Sequence, residues 1–155
     1  MRLSLAQLRK LNMPYSCSED LDISSDLDGF EDIIHASKAH ITYVIKNRGY
    51  DTYLVNFSIT VDLVMECSIT LQEVYYQVQT NAEELFTTDE SIEDANLIEL
   101  ETLDTKEAIL TNILIAKPMK VVADGVHFES DDAPIESDNE EEGINPAFAK
   151  LKDFL

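Results

Sequence analysis

The sequence predicts an α+β fold: an antiparallel β-meander with long strands, covered by one amphipathic helix, plus a short C-terminal helix after an acidic linker. Three observations carry this. Tyr53, Val55, Phe57, Ile59, Val61, Leu63 and Met65 occupy every second position, with Asn56, Ser58, Thr60 and Asp62 filling most of the gaps. Only a β-strand turns such a period into one apolar face. Strand-like runs lie on either side of this one across short turns, and a one-faced sheet needs a cover. Helically spaced apolar residues after Asp104 supply it.

Residues 1–12 place Leu3, Leu5, Leu8 and Leu11 near a helical stripe, and Ser4-x-x-Gln7 suits a capping box. A docking helix and an edge strand are both open for so short a piece, which Pro14 ends. Between Ser16 and Asp32 the acids Glu19, Asp20, Asp22, Asp26, Asp28, Glu31 and Asp32 crowd around Leu21, Ile23, Leu27 and Phe30. This reads as a solvated acidic N-terminal loop. A calcium loop of the EF-hand kind fails on spacing, because a loop begun at Asp22 puts Gly29 at the eighth position instead of the sixth.

Ile41, Tyr43 and Ile45 alternate with Thr42, Val44 and Lys46, which reads as a strand, and Asn47-Arg48-Gly49 supplies the turn into the Tyr53–Met65 run. His35 and His40, at the start of this region, have no metal-like spacing and are expected at the surface or a sheet edge. In the next run Val74, Tyr76, Val78 and Thr80 take one parity whereas Ile69 and Leu71 take the other. The change of phase predicts a bulge or turn near Gln72 and Glu73.

A polar acidic stretch, Thr87 to Glu101, leads to Asp104-Thr105-Lys106-Glu107, the pattern of a capped helix start. Ile109, Ile113 and Ala116 then form one helical stripe, and Pro118 stops the helix. Met119 to Val122 is a candidate short strand. From Glu129 to Glu142 acids abound without a single Lys or Arg, a composition that predicts disorder. In the last eleven residues Asn145 can cap, Pro146 suits the first helical position, and Phe148, Leu151, Phe154 and Leu155 form an apolar stripe flanked by Lys150 and Lys152. The expected division is a single α+β domain over residues 1–126, a linker over 127–144 and a helix over 145–155.

With 31 acidic against 11 basic residues the 155-residue chain carries a formal charge of −20. Such a charge repels nucleic acid and acidic membranes and favours basic partners. Direct non-specific nucleic-acid binding needs clustered cations. The nearest approach to a patch is Lys38, Lys46 and Arg48, at the first turn. Cys17 and Cys67 are too few for a disulfide framework and not at metal-ligand spacing, and no apolar run is long enough to span a membrane. A cytoplasmic location, no membrane contact, no cofactor and no metal are expected. Paired carboxylates such as Glu83 and Glu84 say little in so acidic a chain, there is no glycine-rich phosphate loop, and no enzymatic activity is expected.

Three segments in order resemble one family. The first is centred on Cys67 and runs to Glu83-Glu84-Leu85-Phe86. The second is Thr102 to Met119, with its capped helix and Lys117-Pro118-Met119 exit. The third is the closing Asn145-Pro146-Ala147-Phe148-Ala149-Lys150-Leu151-Lys152. Together they span roughly residues 30 to 155 and are similar to the YceD family, the large ribosomal RNA subunit accumulation proteins. The resemblance implies a non-enzymatic factor in ribosome biogenesis that supports accumulation of 23S rRNA and large-subunit assembly. Many members carry Cys-x-x-Cys at the strand junction and a second pair after the helix exit. Here Thr70 stands where the partner of Cys67 would be, and Met119 to Phe128 holds no cysteine. A single thiolate cannot build a tetrahedral zinc centre.

The expected partner is a basic ribosomal protein or a large-subunit precursor. Glu136, Asp138, Glu140, Glu141, Glu142, Phe148, Leu151 and Phe154 are the candidate partner-binding residues. A different class of function also fits: an acidic interaction module or nucleic-acid mimic that binds a basic protein.

Overall fold

Alternation dominates the architecture. In a computed structural model, which describes residues 1–125, the run singled out by its period of two becomes the centre of a six-stranded sheet. The elements are β1 (Arg2–Ser4), α1 (Leu5–Leu8), β2 (Tyr15–Leu21), α2 (Ser24–Leu27), β3 (Ile33–Ala36), β4 (Ala39–Gly49), β5 (Thr52–Glu66), β6 (Glu73–Thr87), β7 (Asn96–Leu97), β8 (Thr102–Asp104) and α3 (Lys106–Ala116). The strands of the large sheet lie in the order β2-β4-β5-β6-β7, with β3 also pairing β5. Pairing is antiparallel from β2 to β6, whereas β7 joins β6 in parallel at Phe86 and Thr87. A separate two-stranded ribbon joins β1 to β8.

Every odd residue of β5 from Tyr53 to Met65 is buried, as the period of two requires. The cross-strand register carries that face outward. Tyr43, Phe57 and Ala82 share one row, and Ile41, Ile59 and Thr80 the next. Tyr43 and Phe86 each meet the Phe57 ring edge to face, at centroid distances of 5.6 and 6.4 Å. Each large side chain so buried is worth about 1.5–3 kcal/mol. The meander β4-β5-β6 therefore stands as the sequence predicts.

Its details differ. The acidic segment after Pro14 is no loop: Tyr15, Cys17, Glu19 and Leu21 alternate inward along β2, a full antiparallel strand on β4, and α2 follows. Counting acids hid a period of two that is present in the sequence, because Glu19 faces inward and finds hydrogen-bond donors there. The first turn falls at Tyr50 and Asp51, both with positive φ (48° and 51°), and Asn47 and Gly49 belong to an irregularity inside β4. Two consecutive positive φ values match the tightest hairpin connection. The phase change near Gln72 is a turn, with Leu71 at φ 61°.

The helix begins at Lys106, one residue later than an Asp104 cap implies; its N-cap is Thr105, and Asp104 instead accepts a 3.0 Å bond from the Lys106 amide. Ala108, Ile109 and Ile113 face the core, yet Ile115 on the outer side is 76% exposed, so polar and apolar residues are less cleanly segregated than the stripe implies. Nor does this helix cover the sheet alone. Leu5 and Leu8 of α1, Ile23, Leu27 of α2 and Leu103 of β8 enter the same core. Met119 to Val122 forms no strand; only Val121 makes a bridge, to Cys67. At the N-terminus both open readings hold in succession: Arg2–Ser4 is a strand, and Ser4 and Gln7 close a complete capping box on α1. The linker 127–144 and the helix 145–155 lie outside the described residues.

Candidate interaction surface

The eight residues nominated for partner binding, Glu136, Asp138, Glu140, Glu141, Glu142, Phe148, Leu151 and Phe154, all lie beyond residue 125. The described residues present other chemistry. Lys38 precedes β4 while Lys46 and Arg48 close it, so at about 3.3 Å per residue Lys38 sits roughly 30 Å from the other two, and the three form no common patch. Four other cations are tied to carboxylates: Arg2 to Asp104 (3.1 Å), Arg9 to Asp51, Lys106 to Asp26 (2.9 Å) and Lys117 to Asp32. From Gly49 to Thr105 the chain holds no Lys or Arg at all. That span contains both β5 and β6.

The outward face of β5 and β6 is accordingly a polar, acidic and uncharged mosaic. Asn56 donates to Glu83 at 2.7 Å, Ser58 to Asn81 at 2.7 Å, and Gln77 to Asp62 at 2.8 Å. At one end a groove of about 520 Å³ is lined by His35, Ser37, Asp62, Val64, Tyr75, Tyr76 and Gln77. Ser37 is bonded to the Lys38 carbonyl and the Asp62 amide, not to His35. His40 reaches Asp20 at 2.7 Å across the β2–β4 pair. Glu83 and Glu84 point to opposite faces, as neighbours on a strand must. Glu84 turns toward α3 and β7, where Asn112 and Asn96 donate to it at 3.0 and 3.1 Å. The pair is thus divided between the surface and an inter-element clamp.

Two interior polar clusters escaped the sequence reading. The Met1 ammonium and the Tyr43 hydroxyl both donate to Glu19, and the ammonium also donates to Thr105 at 3.0 Å. Burial pushes the Glu19 carboxyl up, but the bonds from the ammonium and from Tyr43 outweigh it and hold the group below the usual carboxylate range. Burial, with Glu19 as hydrogen-bond partner, drives the Tyr43 phenol well above its ordinary value.

The second cluster surrounds Cys67. Its sulfur accepts from the amides of Thr70 and Ala123, each at 3.4 Å, while Ser68 bonds the Val121 carbonyl through amide and hydroxyl. The Thr70 hydroxyl and these amides pull the thiol down to about 7. The turn after β5 and the segment after α3 are therefore knit together at a lone sulfur. Among the described residues no three His, Cys, Asp or Glu side chains cluster as metal ligands, and no helix is long and apolar enough to cross a membrane. A second cleft, of about 600 Å³, runs between β7, β8 and α3 past Arg2, Asn96, Glu99 and Lys106.

A family model described as "Large ribosomal RNA subunit accumulation protein YceD" matches residues 55–155. The match starts inside β5 and takes in β6, α3 and the Cys67 turn, a narrower span than the resemblance beginning near residue 30. No curated protein and no solved structure matches the chain.

Proposed function

The chain belongs to the YceD family, and from that premise we propose that it is a non-enzymatic factor in ribosome biogenesis, supporting accumulation of 23S rRNA and assembly of the large subunit. The family match carries the reading. The distribution of charge supports a mode of action: the protein works through contacts with basic ribosomal proteins or ribonucleoprotein rather than by gripping RNA directly. Counterion release on RNA needs a cluster of cations. In this chain the sheet's centre has none, and the cations beside it are dispersed or paired. An acidic surface instead steers a basic protein and can shield it until it reaches precursor RNA.

Ribosome profiles and 23S rRNA levels in depleted cells test the role. Loss of large subunits with a shortage of 23S rRNA is the expected result; normal profiles would remove it.

A further inference from the structure

β6 is fifteen residues long, but β7 pairs with it only at Phe86 and Thr87. From Glu73 to Leu85 one side of the strand has no backbone partner among the described residues. We propose that this free edge is a strand-addition site that takes an extended, cation-flanked segment of a partner protein.

Four observations support the occupant. The edge is about 40 Å long at roughly 3.4 Å per residue, room for a full recognition strand. Apart from its glutamates, of which Glu84 points inward near the β7 end, it also lacks the devices that normally blunt an edge. No Lys, Arg, Pro or Gly interrupts it, and its register with β5 is unbroken from Thr52↔Thr87 to Glu66↔Glu73. Third, its charge has a pattern: Val74 to Ala82 is uncharged, with Glu73 at one end and Glu83 and Glu84 at the other. A matching strand is neutral in its middle and basic at its ends. Finally, Tyr75, 80% exposed beside the groove that Val64 and His35 line, offers a seat for an apolar side chain of that strand.

A second copy of the chain is the poorer occupant. Antiparallel pairing of two β6 strands about Val78 sets Glu73 opposite Glu83 twice, between molecules that each carry a formal −20. Like charges directly opposite destabilise a pair. The inference rests on the assembly reading only in placing the partner among ribosomal proteins; the edge and its charge stand without it.

The test uses the full chain and two synthetic peptides, each an alternating Thr-Val core, one ended by Lys-Lys and the other by Glu-Glu. The Lys-ended peptide is expected to bind and to slow exchange of alternate amides between Val74 and Leu85 by about tenfold or more. E73K/E83K, at exposed positions, is expected to keep the parent's fold and cooperative unfolding, to lose about tenfold in affinity for the Lys-ended peptide and to gain the Glu-ended one. Binding without amide protection in β6 would overturn the proposal. Protection already present in the chain alone would do so too, signalling a second copy if it grows with concentration and coverage by the chain's own residues if it does not. Normal 23S rRNA on depletion, with peptide capture intact, would remove the assembly reading and leave the edge. Failed capture with 23S rRNA lost would remove the edge alone.

Discussion

Cys67 is wholly buried, and its sulfur takes two amide hydrogens from loops that are distant in sequence. The packing alters what a substitution there should do. From sequence alone, Cys67→Ser is a mild change unless the thiol is tightly packed, and here it is. Serine's shorter bond draws the acceptor away from both amides, so we expect a clearly lowered melting temperature for Cys67→Ser, unchanged by chelator in either protein. Stability of the parent that depends on added zinc would contradict this. Glu19 leads to a pH dependence. Its carboxyl is depressed in the folded state by the Met1 ammonium and Tyr43 against the opposing pull of burial, while the unfolded value is about 4.3. The contribution is therefore complete above the unfolded value and lost as pH falls through the folded one. Melting curves between about pH 5 and pH 3 should show Glu19→Gln less stable than the parent at the upper end, the gap closing on acidification. A gap independent of pH would remove Glu19 from the account.

Among the elements, α3 offers the clearest contrast. Ile113 is fully buried and Ile115 is 76% exposed, two residues apart on one helix. Ile113→Ala should cost about 2–5 kcal/mol in denaturant unfolding, and Ile115→Ala should stay within about 0.5 kcal/mol. Equal costs would mean that the helix is seated on a different face. The stripe of Ile109 and Ile113 was legible in the sequence because helical spacing is a local property. The cap was not: Thr105 forgoes capping, its hydroxyl donating to the Met1 carbonyl and accepting from the Met1 ammonium, and nothing local announces a partner so distant in sequence. At β2 the failure was of another kind, since the alternation of Tyr15, Cys17, Glu19 and Leu21 is local. It was outweighed by the density of acids, and only Tyr43 and the Met1 ammonium make an inward Glu19 tolerable.

At the scale of the molecule, a formal charge of −20 set on a frame whose centre holds no cation makes self-repulsion a standing cost of folding. Raising NaCl from about 0.01 M, where the screening length is near 30 Å, to about 0.5 M should raise the melting temperature. A fall would mean that the ion pairs Arg2–Asp104 and Lys106–Asp26 matter more than the net repulsion. Of the candidate site, the sequence showed the sign of the charge but not its arrangement. Residues 136–154, on which the expectation rested, lie outside the described part. Lys38 and Arg48, close along the chain, are held apart by an extended strand. The open side of β6 could not be read at all, because pairing joins residues far apart in sequence and the alternation of side chains does not report which edge is left without a partner. By itself the sequence determined what short-range periodicity and composition encode: the long central strand and its buried face, the helix that packs on it, the acidic character and the family. Tertiary structure alone decided the order of strands, the inward turn of Glu19, the amide cradle around Cys67 and the edge of β6 that no other described strand pairs beyond Phe86 and Thr87, each of which depends on contacts between distant segments.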